Sequence, residues 1–319
     1  MNININKDKW LNFIKEDYYH SIDAGMRQDL DLFIQELVEY EQLLDWRAFP
    51  LDEIISRKWI DAKKTELKKY PQKVLDKFLD LIGTEEIPQK VLLRKTLHKN
   101  TKSLMNDYAL LSWCIRVLNK GFSSCCSVKY SPDVMSDEFL MEIAQYSRLD
   151  DGPVRVKNFL ADHGIALIIE KPLAGTIFNG ASLLTKSGMP IIGMTLYYDR
   201  LDNFWFTLMH ELGHVWKHLH SDDDLYIDYF SSKAEDLVNS PEEMEADKIA
   251  RESLIPLNYT THDAFLLQTD EAVLDLANEL GIHPSIIAGR IRHDNNAWNI
   301  LSNLVNKSSV RKLFDDSGW

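Results

Sequence analysis

The sequence predicts an α+β protein. An all-helical N-terminal region precedes a unit built from a small mixed sheet and one long apolar helix that carries a histidine-rich motif. Three observations predict this. Residues 7 to about 120 repeat apolar residues at helical spacing, as in Phe33-Ile34, Leu37-Val38 and Leu43-Leu44, with Pro50, Pro71, Gly83 and Pro88 as punctuation. Ala166–Glu170, Ala181–Thr185 and Ile191–Tyr197 read as short strands, the last two joined by a turn at Lys186-Ser-Gly-Met-Pro190. The stretch from Trp205 to His220 then combines a helical apolar period with His210-Glu211-Leu-Gly-His214.

The remaining elements follow from local signals. Leu104–Leu118, with Trp113 and Ile115, reads as a buried helix, and Gly121–Ser127 with Pro132 suggests a boundary, dividing the chain into 1–130 and 131–319. Asp137–Tyr146 and Pro153–Asp162 read as helices, the second closed by Gly164. Ser240 as N-cap, Pro241 at the first helical position and acids in the first turn open another helix. Glu271–Leu280, Gly281 and Pro284–Ile291 form a helix-turn-helix pattern with little basic charge, read as a packing element, and 296–314 reads as a final amphipathic helix.

Composition narrows the functional classes. At 319 residues the chain accommodates two domains. The net charge of −13 is uneven, +2 over 1–130 and −15 over 131–319, so the second part is a poor direct ligand for nucleic acid and a better one for a basic polypeptide. The basic stretches Arg57–Lys77 and Arg94–Lys102 read as exposed helix faces without a DNA-reading motif. No run approaches the roughly 20 apolar residues that cross a bilayer, and the first residues lack the apolar run of a secretion signal. Three cysteines without a Cys-x-x-Cys spacing fit buried thiols in a reducing compartment, so the expected location is the cytoplasm.

The motif carries the chemistry. Positions i and i+4 lie one turn apart on the same helix face, so His210 and His214 can aim two imidazoles at one point, as zinc (Zn2+) requires of two ligands. Glu211 sits beside them, where a carboxylate can take a proton from an attacking water. A third ligand has two sources. His220 lies ten residues after His210, but Lys217 stands where a glycine would have to break the helix. With the helix continuing at about 1.5 Å per residue, His218 and His220 fall too far along the axis and read as solvated or capping residues. The other source is the helix after Ser240. Glu243 is the favoured ligand, with Glu242 or a purely local capping-box role for Glu243 as the alternatives, and Asp247, one turn later, is placed to orient a ligand histidine.

Asp199–His214, Glu243-Met-Glu-Ala-Asp247 and Ser253-Leu-Ile-Pro256 together resemble the ImmA/IrrE family of zinc metallopeptidases. Gly281–Arg292 is similar to the tail of a branch found fused to HigA-type antitoxin regulators, and the resemblance spans about 135–315. It implies a zincin-like metallopeptidase domain, with His210, His214 and Glu243 as zinc ligands and Glu211 as catalytic base. It also implies cleavage of a specific partner, often a helix-turn-helix repressor or antitoxin, in stress responses, phage defence or toxin–antitoxin pairs. A non-proteolytic antitoxin or regulatory binding module on the same scaffold is the rival reading. The strand before the motif helix, Ile191–Tyr197, or its neighbour, is the candidate rail for an extended substrate.

Overall fold

The computed structural model describes residues 46–82, 106–124, 128–220, 224–229, 240–305, 309–314 and 319. The chain divides at Ala48/Phe49, and the described helices and strands all lie in Phe49–Trp319. Four strands, β1 (Ala166–Ile169), β2 (Phe178–Leu184), β3 (Pro190–Met194) and β4 (Leu225–Tyr229), form one sheet in the order β1-β3-β2-β4. β1 runs parallel to β3, and β2 is antiparallel to both β3 and β4, which makes the sheet mixed. β4 is an addition to the three expected strands. Leu225 and Ile227 are buried and alternate with Tyr226 and Asp228, a period of two that the preceding acidic run obscured.

The register assigns each sheet face its cover. Ala181 pairs with Gly193 and Leu183 with Ile191 on one face, while Gly180, Ser182, Ile192 and Met194 point to the other. On the first face lies α4 (Asp107–Ser123), which follows α1 (Leu51–Ser56), α2 (Lys64–Lys69) and α3 (Pro71–Leu79) in the chain. Trp113 of α4 fills the space that Gly193 leaves, where a Cβ would come within 2.5 Å of its ring, and meets Phe178 edge-on at 4.7 Å. Its indole N–H donates to the Glu170 carbonyl at 3.0 Å. The expected boundary at 130/131 therefore falls inside one compact unit, just after a helix that covers the sheet.

After α5 (Asp137–Gln145) and α6 (Gly152–Asp162), the second face receives α7 (Leu201–Lys217), the motif helix, buried on nearly every side. α8 (Pro241–Leu254) crosses it closely because Gly213 meets Ala246, where an added Cβ would sit 3.1 Å from the Ala246 Cα. α9 (Asp263–Leu267), α10 (Asp270–Leu280) and α11 (Pro284–Asp294) complete the core, with Gly281 ending α10 in the left-handed region at φ 69°. The expected helix over 296–314 does not form as one element. Asn296 and Leu301 adopt φ of 49° and 51°, and the described residues of this stretch hold a short α12 (Ser302–Val305) and a 3-10 turn at Arg311–Leu313. Among the described residues, no helix is long and apolar enough to cross a membrane.

Candidate metal centre

α7 and α8 bring three side chains to one point. His210 Nε2 lies 3.0 Å from His214 Nε2 and 3.1 Å from Glu243 Oε2, and His214 Nε2 lies 3.5 Å from the same carboxylate oxygen. Ligands held tetrahedrally at about 2.0–2.1 Å from zinc stand about 3.3 Å apart, so this donor set fits a single ion of that size. The chemistry fits as well: two imidazoles and one carboxylate leave a fourth position open, as catalytic zinc sites do. Among the described residues this is the one group of its kind with three such donors converging.

The electrostatics follow from burial and from the opposite signs packed together. Burial works against charge on the His210 ring, yet hydrogen bonds to Asp247 and Glu243 outweigh it and raise its pKa well above the ordinary value. His214, buried beside another imidazole, is lowered to about 4 and so stays neutral, the form that offers a lone pair. Burial also opposes charge on Glu243, but its two imidazole partners hold it ionised, with a pKa near 2. Ser240 caps α8 by accepting the Glu243 N–H at 3.3 Å, while the Glu243 side chain turns to the histidines and that of Glu242 turns to Ser240. Asp247 Oδ1 stands 2.9 Å from His210 Nδ1, on the ring edge opposite the point of convergence.

Glu211 points at the sheet. It is fully buried, the Ser182 hydroxyl donates to its Oε2 at 2.6 Å, and its Oε1 has no hydrogen-bond partner among the described residues. Gly180 makes room for it, since a Cβ there would lie 2.6 Å from Oε1. Burial, reinforced by Asp228 and Glu243, pushes the Glu211 carboxyl well above the usual carboxylate range.

A cavity of about 260 Å³ opens beside His210, Glu243 and Asp247 and runs between α7, α8 and α11. Its apolar wall includes Phe206, Ile227, Leu254, Ile286 and Trp298, and its charged residues include Asp228, Arg200 and Arg251. Glu211 is absent from the lining. Burial, with Glu243 and Asp247 nearby, raises Asp228 to about 6.

Several neighbours of the site escaped the sequence reading. Asp228 and Tyr226 belong to the unforeseen β4, and Tyr226 stacks on His214 at 4.5 Å. Ser182 sits in an expected strand without any local sign of its partner. His218 was expected to be a solvated or capping residue on a continuing helix. α7 stops at Lys217 and His218 is its C-cap, at φ −127°, ψ −20°, with its N–H donating to the His214 carbonyl at 2.9 Å; its ring is buried rather than solvated, at 8% exposed. It does not join the ligand set, but its Nδ1 lies 3.0 Å from that of His214. His220 is exposed and donates its backbone N–H to Asp224. Cys114 is a buried cysteine, and Cys125 and Cys126 lie outside the described residues.

An apolar helix on a mixed sheet, with two histidines a turn apart and a carboxylate from a second helix, defines a metallopeptidase-type domain. Residues 162–292 match the peptidase family model described as the IrrE N-terminal-like domain, which places this domain in the ImmA/IrrE family. No curated protein and no solved structure gives a significant match to the chain.

Proposed function

We propose that the chain is a zinc-dependent endopeptidase of the Glu-zincin type that cleaves a specific protein partner in the cytoplasm. The single observation behind this reading is the convergence of His210 Nε2, His214 Nε2 and Glu243 Oε2 beside an open cavity. Zinc bound there supplies Lewis-acid chemistry, polarising a scissile carbonyl and making water a usable nucleophile near neutral pH. Glu211 takes the proton as the water oxygen bonds to the carbonyl carbon, then delivers it to the amine nitrogen as the C–N bond breaks. A carboxyl raised by burial suits a group that must both accept and return a proton. Asp247 holds His210 with Nε2 facing the point where His214 and Glu243 converge, where the ion would sit.

The substrate rail is reassigned. β3, at Ile191–Met194, has a neighbour on both edges, whereas the outer edge of β4 pairs with nothing among the described residues. The outer edge of β1 is open as well among these residues, but β4 carries Ile227 and Asp228 in the cavity wall and Tyr226 against His214, so β4 is the strand to which an extended peptide adds. The net charge of −15 over 131–319 favours a basic partner, which fits a DNA-binding repressor or antitoxin in a stress, phage-defence or toxin–antitoxin setting. The test is incubation with the products of neighbouring reading frames, read as defined fragments. Wild type is expected to cut one of them, and Glu211→Gln to lose cleavage by about 10²-fold or more while keeping its zinc. Full cleavage by Glu211→Gln refutes the assignment.

One observation favours a second reading, a non-proteolytic antitoxin or regulatory binding module. Glu211 is fully buried against Ser182 and does not line the cavity. Tight binding of the partner with no fragments, unchanged by Glu211→Gln, supports that alternative.

A further inference from the structure

The geometry points to His218 and Glu245 as positioning residues that fix the proton arrangement of His214 through a two-ring relay. This rests on the metal site proposed above. His214 directs Nε2 toward His210 and Glu243, so its hold on the protein passes through Nδ1. That nitrogen lies 3.0 Å from His218 Nδ1, and His218 Nε2 lies 3.2 Å from Glu245 Oε2. Packing fixes both rings: Tyr226 stacks on His214 at 4.5 Å and touches His218 at 5.4 Å.

Proton counting then sets one order along the chain. An ionised carboxylate only accepts, so His218 Nε2 carries the proton that reaches Glu245. In a neutral ring His218 Nδ1 is then bare, and His214 Nδ1 must donate to it. His214 Nε2 is left with its lone pair toward the other two donors, the form a metal ligand requires. Glu245 thus selects the tautomer of a buried ligand two rings away. α8 orients both histidines, His210 directly through Asp247 and His214 indirectly through Glu245 and His218. The rival account is a surface pair of no consequence, since the Glu245 side chain is 54% exposed and such pairs contribute little.

Zinc affinity of the full chain, measured by competition with a chromophoric chelator, separates the two. His218→Phe keeps an aromatic ring in place and removes both hydrogen bonds; it is expected to bind zinc about 10–100-fold more weakly. Glu245→Gln, on an exposed face that tolerates exchange, is expected to weaken zinc in the same direction. The double variant is expected to be no weaker than His218→Phe alone, because both substitutions break one path. Imidazole nitrogen NMR of the zinc-free chain adds a direct readout: His214 protonated on Nδ1 in wild type, and a mixture of tautomers in Glu245→Gln. Unchanged affinity in both single variants, or an unchanged His214 tautomer in Glu245→Gln, overturns the relay while leaving the metal site standing. A wild-type chain that binds no zinc overturns the metal site, and the relay with it.

Discussion

Glu211 owes its position to two residues on β2, one for what it offers and one for what it lacks. Ser182 donates to Oε2, and Gly180 leaves open the space that Oε1 borders. The Ser182 hydrogen bond lowers the carboxyl pKa against the larger, upward effect of burial. Ser182→Ala therefore raises the Glu211 pKa further, and the basic form is lost at a higher pH. The acid limb of kcat/KM against pH is expected to move to higher pH, with zinc content unchanged; an unmoved limb contradicts the role given to Glu211. At this scale the sequence was most legible where geometry is local. His210 and His214 share a face because they are four residues apart on one helix. Ser182 and Glu211 are 29 residues apart, and only the packing of α7 on the sheet makes them neighbours.

At the scale of elements, α7 and α8 were readable from apolar period, Ser240 and Pro241, while their close crossing rests on Gly213 meeting Ala246. The ends of elements were harder to read. α7 stops at Lys217 without a glycine; His218 caps it at φ −127°, ψ −20° and lays its ring against that of His214. The tail after α11 failed as a helix because two residues take left-handed backbone and side-chain anchors replace the ladder. Asp199 is the main anchor: it accepts from the Ser309 hydroxyl at 2.6 Å and from the backbone N–H groups of Val310 and Arg311 at 2.7 and 2.9 Å. Burial raises its pKa somewhat, but these donors outweigh that and bring it below its ordinary 3.8. A depressed carboxylate contributes stability above its unfolded value, and that contribution is lost as pH falls through the folded one. Asp199→Asn is expected to destabilise the chain near neutrality and to remove part of the stability loss below about pH 4. Urea denaturation across pH 2–7 reads both effects; parallel wild-type and variant curves contradict the anchor.

For the whole molecule, the sheet needs cover on both faces, and the two covers come from opposite sides of the expected boundary. α4 shields Gly193 and Ile191, while α7 shields Ser182 and Gly180. The break at 121–134 was a fair reading of local composition, yet nothing local reveals that Trp113 fills the space beside a glycine 80 residues later. A chain starting at residue 131 loses α4 and bares an apolar sheet face, so it is expected to be insoluble or to unfold at low denaturant. A chain starting at residue 49 keeps α4 and is expected to retain cooperative unfolding, measured by circular dichroism in urea. A soluble, cooperatively folding 131–319 fragment contradicts this division of labour.

The claim on which the rest depends is that two imidazoles and one carboxylate hold a single ion. X-ray absorption at the zinc edge tests it most directly, on the zinc-loaded chain beside His214→Ala. The expected wild-type spectrum shows only nitrogen and oxygen neighbours at about 2.0–2.1 Å with the scattering signature of two imidazoles, and that of one imidazole in the variant. Sulfur at about 2.3 Å, or a spectrum that His214→Ala leaves unchanged, contradicts the account.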